Sequence, residues 1–287
     1  MLNIHENTGL DALLPVEMAR KSESVGEKKA NLDVTSTFVL AVLAGAFIAL
    51  GGVFYTVVVT TGEVEVAFGI KKLLGGIAFS LGLILVVVAG AELFTGNNLI
   101  VVAWASRRVT TTLLLRNWLV VYLGNGVGAI GIAILVYFSQ LDTQHSGAVG
   151  DTMLAIASSK CSLGWPQAIA LGIGCNVLVC LAVWLCMSAR SVTDKVFAIL
   201  FPITAFVATG MEHCVANMYF VPAAMMIGLR RHGNGPTADP VLEGINLQDF
   251  IINNLIPVTI GNIIGGAVLV GLVYWFVYLR NEKGSDL

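Results

Sequence analysis

Three ionisable side chains stand alone in long apolar stretches, and they are the residues with chemistry to offer: Glu92, Glu212 and His213. A carboxylate or imidazole in hydrocarbon is costly and by default faces protein or water, so each is a functional candidate. The glutamates belong to a spacing that occurs twice, Gly90, Glu92, Asn97 and Gly210, Glu212, Asn217. A carboxylate beside an unwound helix would accept several freed backbone N–H groups, and the duplication favours that structural role for both. His213 has no duplicate, because Leu93 holds the matching position. A symmetric scaffold would not require it. Its imidazole switches between neutral donor and cation near neutral pH, which suits a pore role; a core histidine held by ordinary bonds is the bland alternative. Thr95 and Asn97 are the neutral donors expected to face it.

A lone titratable donor suits a small weak-acid anion held, and in one version protonated, at one place. No basic cluster runs through the apolar segments to offset desolvation of a strong anion. No acidic ring marks a cation channel either. His5, His145, His213 and His232 are scattered, and neither G-x-S-x-G nor a Walker loop nor a His/Cys ligand spacing occurs, so no metal, cofactor or nucleophilic catalysis is expected. A membrane-embedded enzyme using Glu212 and His213 as an acid–base pair is the rival from another class, and the duplicated glutamate argues against it. The five cysteines show no C-x-x-C pairing and read as packing residues.

The elements that must position these groups follow from composition and length. With 56% hydrophobic and 12% charged residues, against about 25% charged in soluble domains, the chain is a polytopic membrane protein of about six spans whose surface faces lipid. A net charge of -2 points to no nucleic-acid partner. Segments 36–59, 117–139, 163–187 and 250–279 read as simple spans. Segments 73–106 and 196–229 each run 34 residues with one formal charge, the glutamate. As one helix each would be about 51 Å long, well beyond the bilayer core, so each is expected to break near its glutamate. Gly90 and Gly96, and Gly210 with Pro222, are the expected punctuation.

A second pattern, Gly124-Asn125-x-x-Gly128 and Gly261-Asn262-x-x-Gly265, follows the break in each half. Two repeats of three spans, about 36–139 and 163–279, must then be inverted in the membrane plane. The expected organisation is an all-α channel domain, 36–279, with the second and fifth spans broken, between an N-terminal segment, 1–35, and a tail, 280–287. Eleven of the sixteen Lys and Arg residues fall on the side of the N-terminus, which puts both termini in the cytoplasm. Leu10, Leu13, Leu14, Met18 and Val25 suggest an amphipathic helix lying against the membrane face.

The strings AELFTGN (91–97), GMEHCVAN (210–217) and NLIPVTIGNIIG (254–265) resemble the formate/nitrite transporter family, and within it the formate-channel members. The resemblance covers nearly the whole chain. It implies an aquaporin-like homopentamer in the bacterial inner membrane, one pore per protomer, passing formate or similar small anions with pH-dependent gating by the N-terminal segment. It also implies a central histidine at His213 facing Thr95. Apolar constrictions fall at Leu83 and Leu93 on one side and at Phe79, Val179 and Phe206 on the other. Glu212, Asn176, Asn217 and Lys160 fall at positions that support or polarise the histidine. Without it, Phe79, Phe206 and Leu83 read only as core or lipid-facing residues. A nitrite or hydrosulfide channel of the same family and a proton-coupled secondary transporter are the alternatives.

Overall fold

Helix stops and starts, more than hydrophobicity, shape this chain. The computed structural model describes residues 11–60, 66–232 and 245–281, and among these it contains helices and turns but no strand. Helix α1 is Pro15–Asn31 and α2 is Val34–Val59, the latter capped by Asp33, whose carboxylate accepts from the Ser36 amide at 2.9 Å. Helix α3 (Phe68–Ala89) ends where Gly90 takes φ 83°, a left-handed conformation that any Cβ would strain. Short helical pieces follow: α4 (Phe94–Asn97), a 3-10 turn (Asn98–Ile100) and α5 (Val101–Ala105).

The chain continues through α6 (Thr111–Ser139), α7 (Ala148–Cys161) and α8 (Trp165–Ser188). Helix α9 (Val192–Ala208) starts on a Ser191/Asp194 capping box and stops just before Gly210 at φ 72°. Helix α10 is Cys214–His232. The last helix, α11 (Leu247–Tyr278), contains π-type stretches at Phe250–Leu255 and Ile264–Leu272. Among the described residues, α2, α3, α6, α8 and α11 are long and apolar enough to cross a membrane.

Glycines let these helices close on one another in matched pairs. Gly124 and Gly128 of α6 press onto the α2 backbone at Phe38 and Val42, and Gly261 and Gly265 of α11 press onto the α8 backbone at Ile169 and Ile173. An added Cβ at Gly128 or Gly265 would collide with a carbonyl oxygen, so the Gly-Asn pattern records helix contact. The outward faces carry Leu115, Leu119, Leu123 and Phe138 on α6 and Phe201 on α9, all exposed. Such faces require an apolar surrounding.

Several expectations shift. Helices α2 and α6 begin earlier than hydrophobicity alone marks, because caps at Asp33 and Thr110 set their starts, whereas α8 begins two residues later than expected. Only Gly90 and Gly210 punctuate the breaks; Gly96 lies within α4 and Pro222 within α10. The helix after the second break is therefore 19 residues long rather than short. Helix α7 was not anticipated. Helix α1 rests on the protein itself: Met18 and Ala19 are buried with Val102, Trp184 and Leu279, and Ala30 with Ile100 and Ala103, while Leu14 is exposed. Leu10 and the tail beyond residue 281 lie outside the described residues.

Candidate functional site: two helix breaks and a buried histidine

The extended residues after Gly90 expose backbone groups that a helix would have satisfied, and side chains from neighbouring helices take them up. The Glu92 amide donates to the Leu40 carbonyl at 3.2 Å. Asn125 of α6 then clamps the break. Its Nδ2 donates to the Glu92 carbonyl at 2.9 Å and the Ala41 carbonyl at 2.8 Å, while its Oδ1 accepts from the Phe94 amide at 2.9 Å. The second break repeats this geometry: the Glu212 amide reaches the Leu171 carbonyl at 3.3 Å. Asn262 of α11 donates to the carbonyls of Glu212 (2.9 Å) and Gly172 (2.8 Å) and accepts from the Cys214 amide (3.0 Å).

The carboxylates have a different task from the one expected. They accept side-chain donors, because the asparagine clamps already hold the freed backbone. Glu92 is paired with Lys29 of α1 at 2.8 Å and accepts from Asn97 at 2.6 Å; Asn97 also donates to Asn117 at 2.9 Å. Glu212 is paired with Lys160 of α7 at 2.8 Å and accepts from Asn217 at 2.6 Å, while Asn217 donates to Asn254 at 2.7 Å. Asn117 and Asn254 close each circuit onto the Lys29 and Lys160 carbonyls. Each buried carboxylate is thus both paired and hydrogen-bonded, the condition for tolerating a charge in a low-dielectric interior. Asn97 belongs to this brace and does not face the histidine.

His213 sits beside the second brace and reaches across to the first break. Its Nε2 lies 3.0 Å from Thr95 Oγ1, and its Nδ1 accepts from the Ala216 amide at 3.1 Å. A nitrogen that accepts a backbone N–H carries no proton, so in the neutral ring the proton is on Nε2 and is donated to Thr95. The Thr95 hydroxyl is thereby left free to donate its own proton onward. Adding a second proton to the ring would break the Ala216 bond.

Asn176 supports the threonine, donating to the Thr95 carbonyl at 3.3 Å, to Asn98 Oδ1 at 2.8 Å and to the Asn262 carbonyl at 2.7 Å. Among the described residues the imidazole's hydrogen-bond partners are Thr95 and Ala216. Glu212, Lys160, Asn217 and Asn176 thus hydrogen-bond within the brace and to the threonine's backbone rather than to the ring.

The apolar residues expected near this pair belong to one buried layer. Leu83, Leu93, Phe79, Phe206 and Val179 are each at most 3% exposed. Phe79 meets Phe206 edge-on at 5.7 Å between ring centroids, and Phe206 stacks on the His213 ring at 6.1 Å.

Two cavities flank the layer. One of about 340 Å³ is lined by Leu83, Leu93 and Glu92 with Lys21, Lys29 and Lys195. The other, of about 130 Å³, is lined by Phe79, Phe206, His213 and Glu212 with Lys72 and Lys160. Lys72 belongs to the beginning of α3 and Phe79 to its middle, Leu83 to its later half; Lys195 opens α9 and Phe206 closes it. The cavities therefore lie at opposite ends of these two helices, with Thr95 and Val179 lining neither.

The sequence reading missed Lys29, Asn117 and Asn254, and the clamping role of Asn125 and Asn262. A signal existed: Asn117 precedes Asn125 by eight residues, as Asn254 precedes Asn262, and Lys29 precedes Leu40 by eleven, as Lys160 precedes Leu171.

Known proteins resemble this chain in sequence and fold. The formate/nitrite transporter family model matches residues 16–276. Formate channel FocA of Escherichia coli K12 is 46% identical over 279 residues, covering 95% of this chain and 96% of that protein. Formate channel FocA of Haemophilus influenzae is 44% identical, covering 91% and 93%. A solved pentameric formate channel with formate bound superposes with a TM-score of 0.76 at 45% identity, over 86% of this chain and 98% of that one. An FNT family ion channel superposes at 0.77 with 26% identity, over 91% and 98%. A family model spanning nearly the whole chain, with relatives of this identity and coverage, establishes that the protein belongs to the formate/nitrite transporter family.

Proposed function

We propose that the chain is a membrane channel passing formate through its own pore, between the two cavities and past the Thr95–His213 pair. The observation that carries the reading is that pair: a polar contact at 3.0 Å, in a layer of residues at most 3% exposed, separating two lysine-lined cavities. Relatives named formate channels supply the substrate class.

Leu83 and Leu93 form one constriction and Phe79, Val179 and Phe206 the other. An anion stripped of water in such a passage is costly, and the Thr95 hydroxyl, backed by His213 Nε2–H, is the donor that offsets part of this. At low pH His213 takes a second proton at Nδ1 and passes its Nε2 proton to Thr95 as the Thr95 hydroxyl proton goes to formate, which leaves the ring neutral with its proton on Nδ1. Formate then leaves through the apolar slit as uncharged formic acid. Lys29 and Lys160 hold the loops through Glu92 and Glu212 and draw anions into the cavities.

The architecture we infer is six spans in an inverted 3+3 repeat of aquaporin-like form, residues about 36–139 and 163–279. The α3–α5 and α9–α10 runs serve as the broken second and fifth spans. The duplicated clamps and braces support it. The transmembrane domain is 36–279, with 1–35 and 280–287 cytoplasmic, in an inner membrane; a homopentamer with one pore per protomer follows from the pentameric relative. Formate flux into liposomes tests the histidine's role: His213→Phe should abolish the pH dependence and alter the anion/acid preference, and unchanged behaviour in both would overturn it.

A further inference from the structure

The three lysines of the larger cavity are not equivalent. Lys29 is engaged by Glu92 and Asn97 at 2.8 and 3.0 Å. Lys21 donates to the Met187 carbonyl at 2.7 Å, and neither Lys21 nor Lys195 forms an ion pair among the described residues. Glu92 is the carboxylate in the lining, and Lys29 already holds it. Partial burial, then the positive charges of Arg190 and Lys195, lower the Lys21 pKa from its ordinary value. Ser22 lines the same cavity, is 1% exposed, and its hydroxyl has no hydrogen-bond partner. A buried hydroxyl left unpaired is uncommon and asks for a partner.

We infer that Lys21, Lys195 and the Ser22 hydroxyl form a binding site for a soluble divalent oxyanion of the sulfate or phosphate class, which occupies the larger cavity and blocks the pore. Two ammonium groups match two negative charges, and the hydroxyl supplies a directed donor. About 340 Å³ accommodates a tetrahedral oxyanion with water, whereas Leu83 and Leu93, each 2% exposed, close the way onward. A dianion also cannot be neutralised by one proton, so the route open to formate is shut to it. Only the blocking half of this inference rests on the proposed transport function.

The test is equilibrium binding of radiolabelled sulfate to the purified full chain in lipid-free detergent micelles. Saturable binding is expected, weakened at least tenfold by Lys21→Gln and by Lys195→Gln, weakened several-fold by Ser22→Ala, and unchanged by Lys71→Gln. Ser22→Ala removes no existing hydrogen bond, so it reads the site without risk to the fold. Absence of binding, as a lipid-headgroup site would give in lipid-free micelles, overturns the inference, and so does binding indifferent to Lys21→Gln and Ser22→Ala. In liposomes, sulfate on the α1 side should inhibit formate flux and sulfate on the other side should not; equal effects overturn the blocking role. Sulfate binding in a protein that carries no formate would leave the site standing and remove the transport reading.

Discussion

Replacing Asn125 by alanine removes a side chain whose three hydrogen bonds hold the first break. Two carbonyls, of Ala41 and Glu92, lose a donor, and the Phe94 amide loses its acceptor; Asn125 itself is fully buried, so water does not replace it. A buried group left unsatisfied costs about 1–3 kcal/mol, and carbonyls with a second lone pair sit at the low end, so the total is about 3–6 kcal/mol. Asn125→Asp should cost at least as much: it keeps the acceptor for the Phe94 amide but sets an unpaired buried carboxylate against the two carbonyls. The assay is reversible denaturant unfolding in detergent, followed by circular dichroism, with formate flux measured on the same preparations. Asn262→Ala should give a loss of the same size, since its bonds are the same three. A loss below about 1 kcal/mol for both alanine variants would refute the claim that these clamps hold the breaks.

The two lysine braces should differ. Lys160→Met strands a Glu212 side chain that is 6% exposed and should destabilise by about 3–5 kcal/mol. Lys29→Met should cost less, because the Lys29 side chain is 30% exposed to solvent, and equal losses on unfolding would contradict this. Gly90→Ala meets no atom within 4 Å, so its cost is backbone strain alone, about 1–2 kcal/mol, readable in the same titration; a neutral effect would argue against the left-handed stop. The Ser36 amide holds the Asp33 carboxyl below its usual range. Its contribution should therefore be present above the ordinary carboxylate pKa and disappear as pH falls through the lowered one, and Asp33→Asn should flatten that portion of the stability profile.

Residue chemistry made some of this site legible and hid the rest. His213 stood out because the matching position is Leu93, and the glutamates because hydrocarbon does not tolerate a stray carboxylate. What those carboxylates bind was not legible: Lys29 and Lys160 arrive from helices far along the chain, and pairing across helices leaves no local periodicity. Asn97 is a similar case, since from spacing alone it faces the histidine as plausibly as it braces Glu92. The breaks were visible as glycines, but Gly96 carries no mark distinguishing it from Gly90, whose positive φ is set by the turn. Leu83, Phe79, Phe206 and Val179 carry no mark in the sequence that separates a slit from ordinary core, because an apolar slit and an apolar core use the same residues. Helix α7 was passed over although it delivers Lys160.

The central claim is that a buried donor pair, Thr95 and His213, admits a small weak-acid anion through an otherwise apolar layer. Its most direct test is electrophysiology of the purified protein across a pH series with formate, nitrite, hydrosulfide and chloride, for the parent and for Thr95→Val. Valine keeps the shape and removes the hydroxyl. Formate current that exceeds chloride current in the parent and falls at least tenfold in Thr95→Val is the predicted result. Formate current unchanged by Thr95→Val at every pH would contradict it.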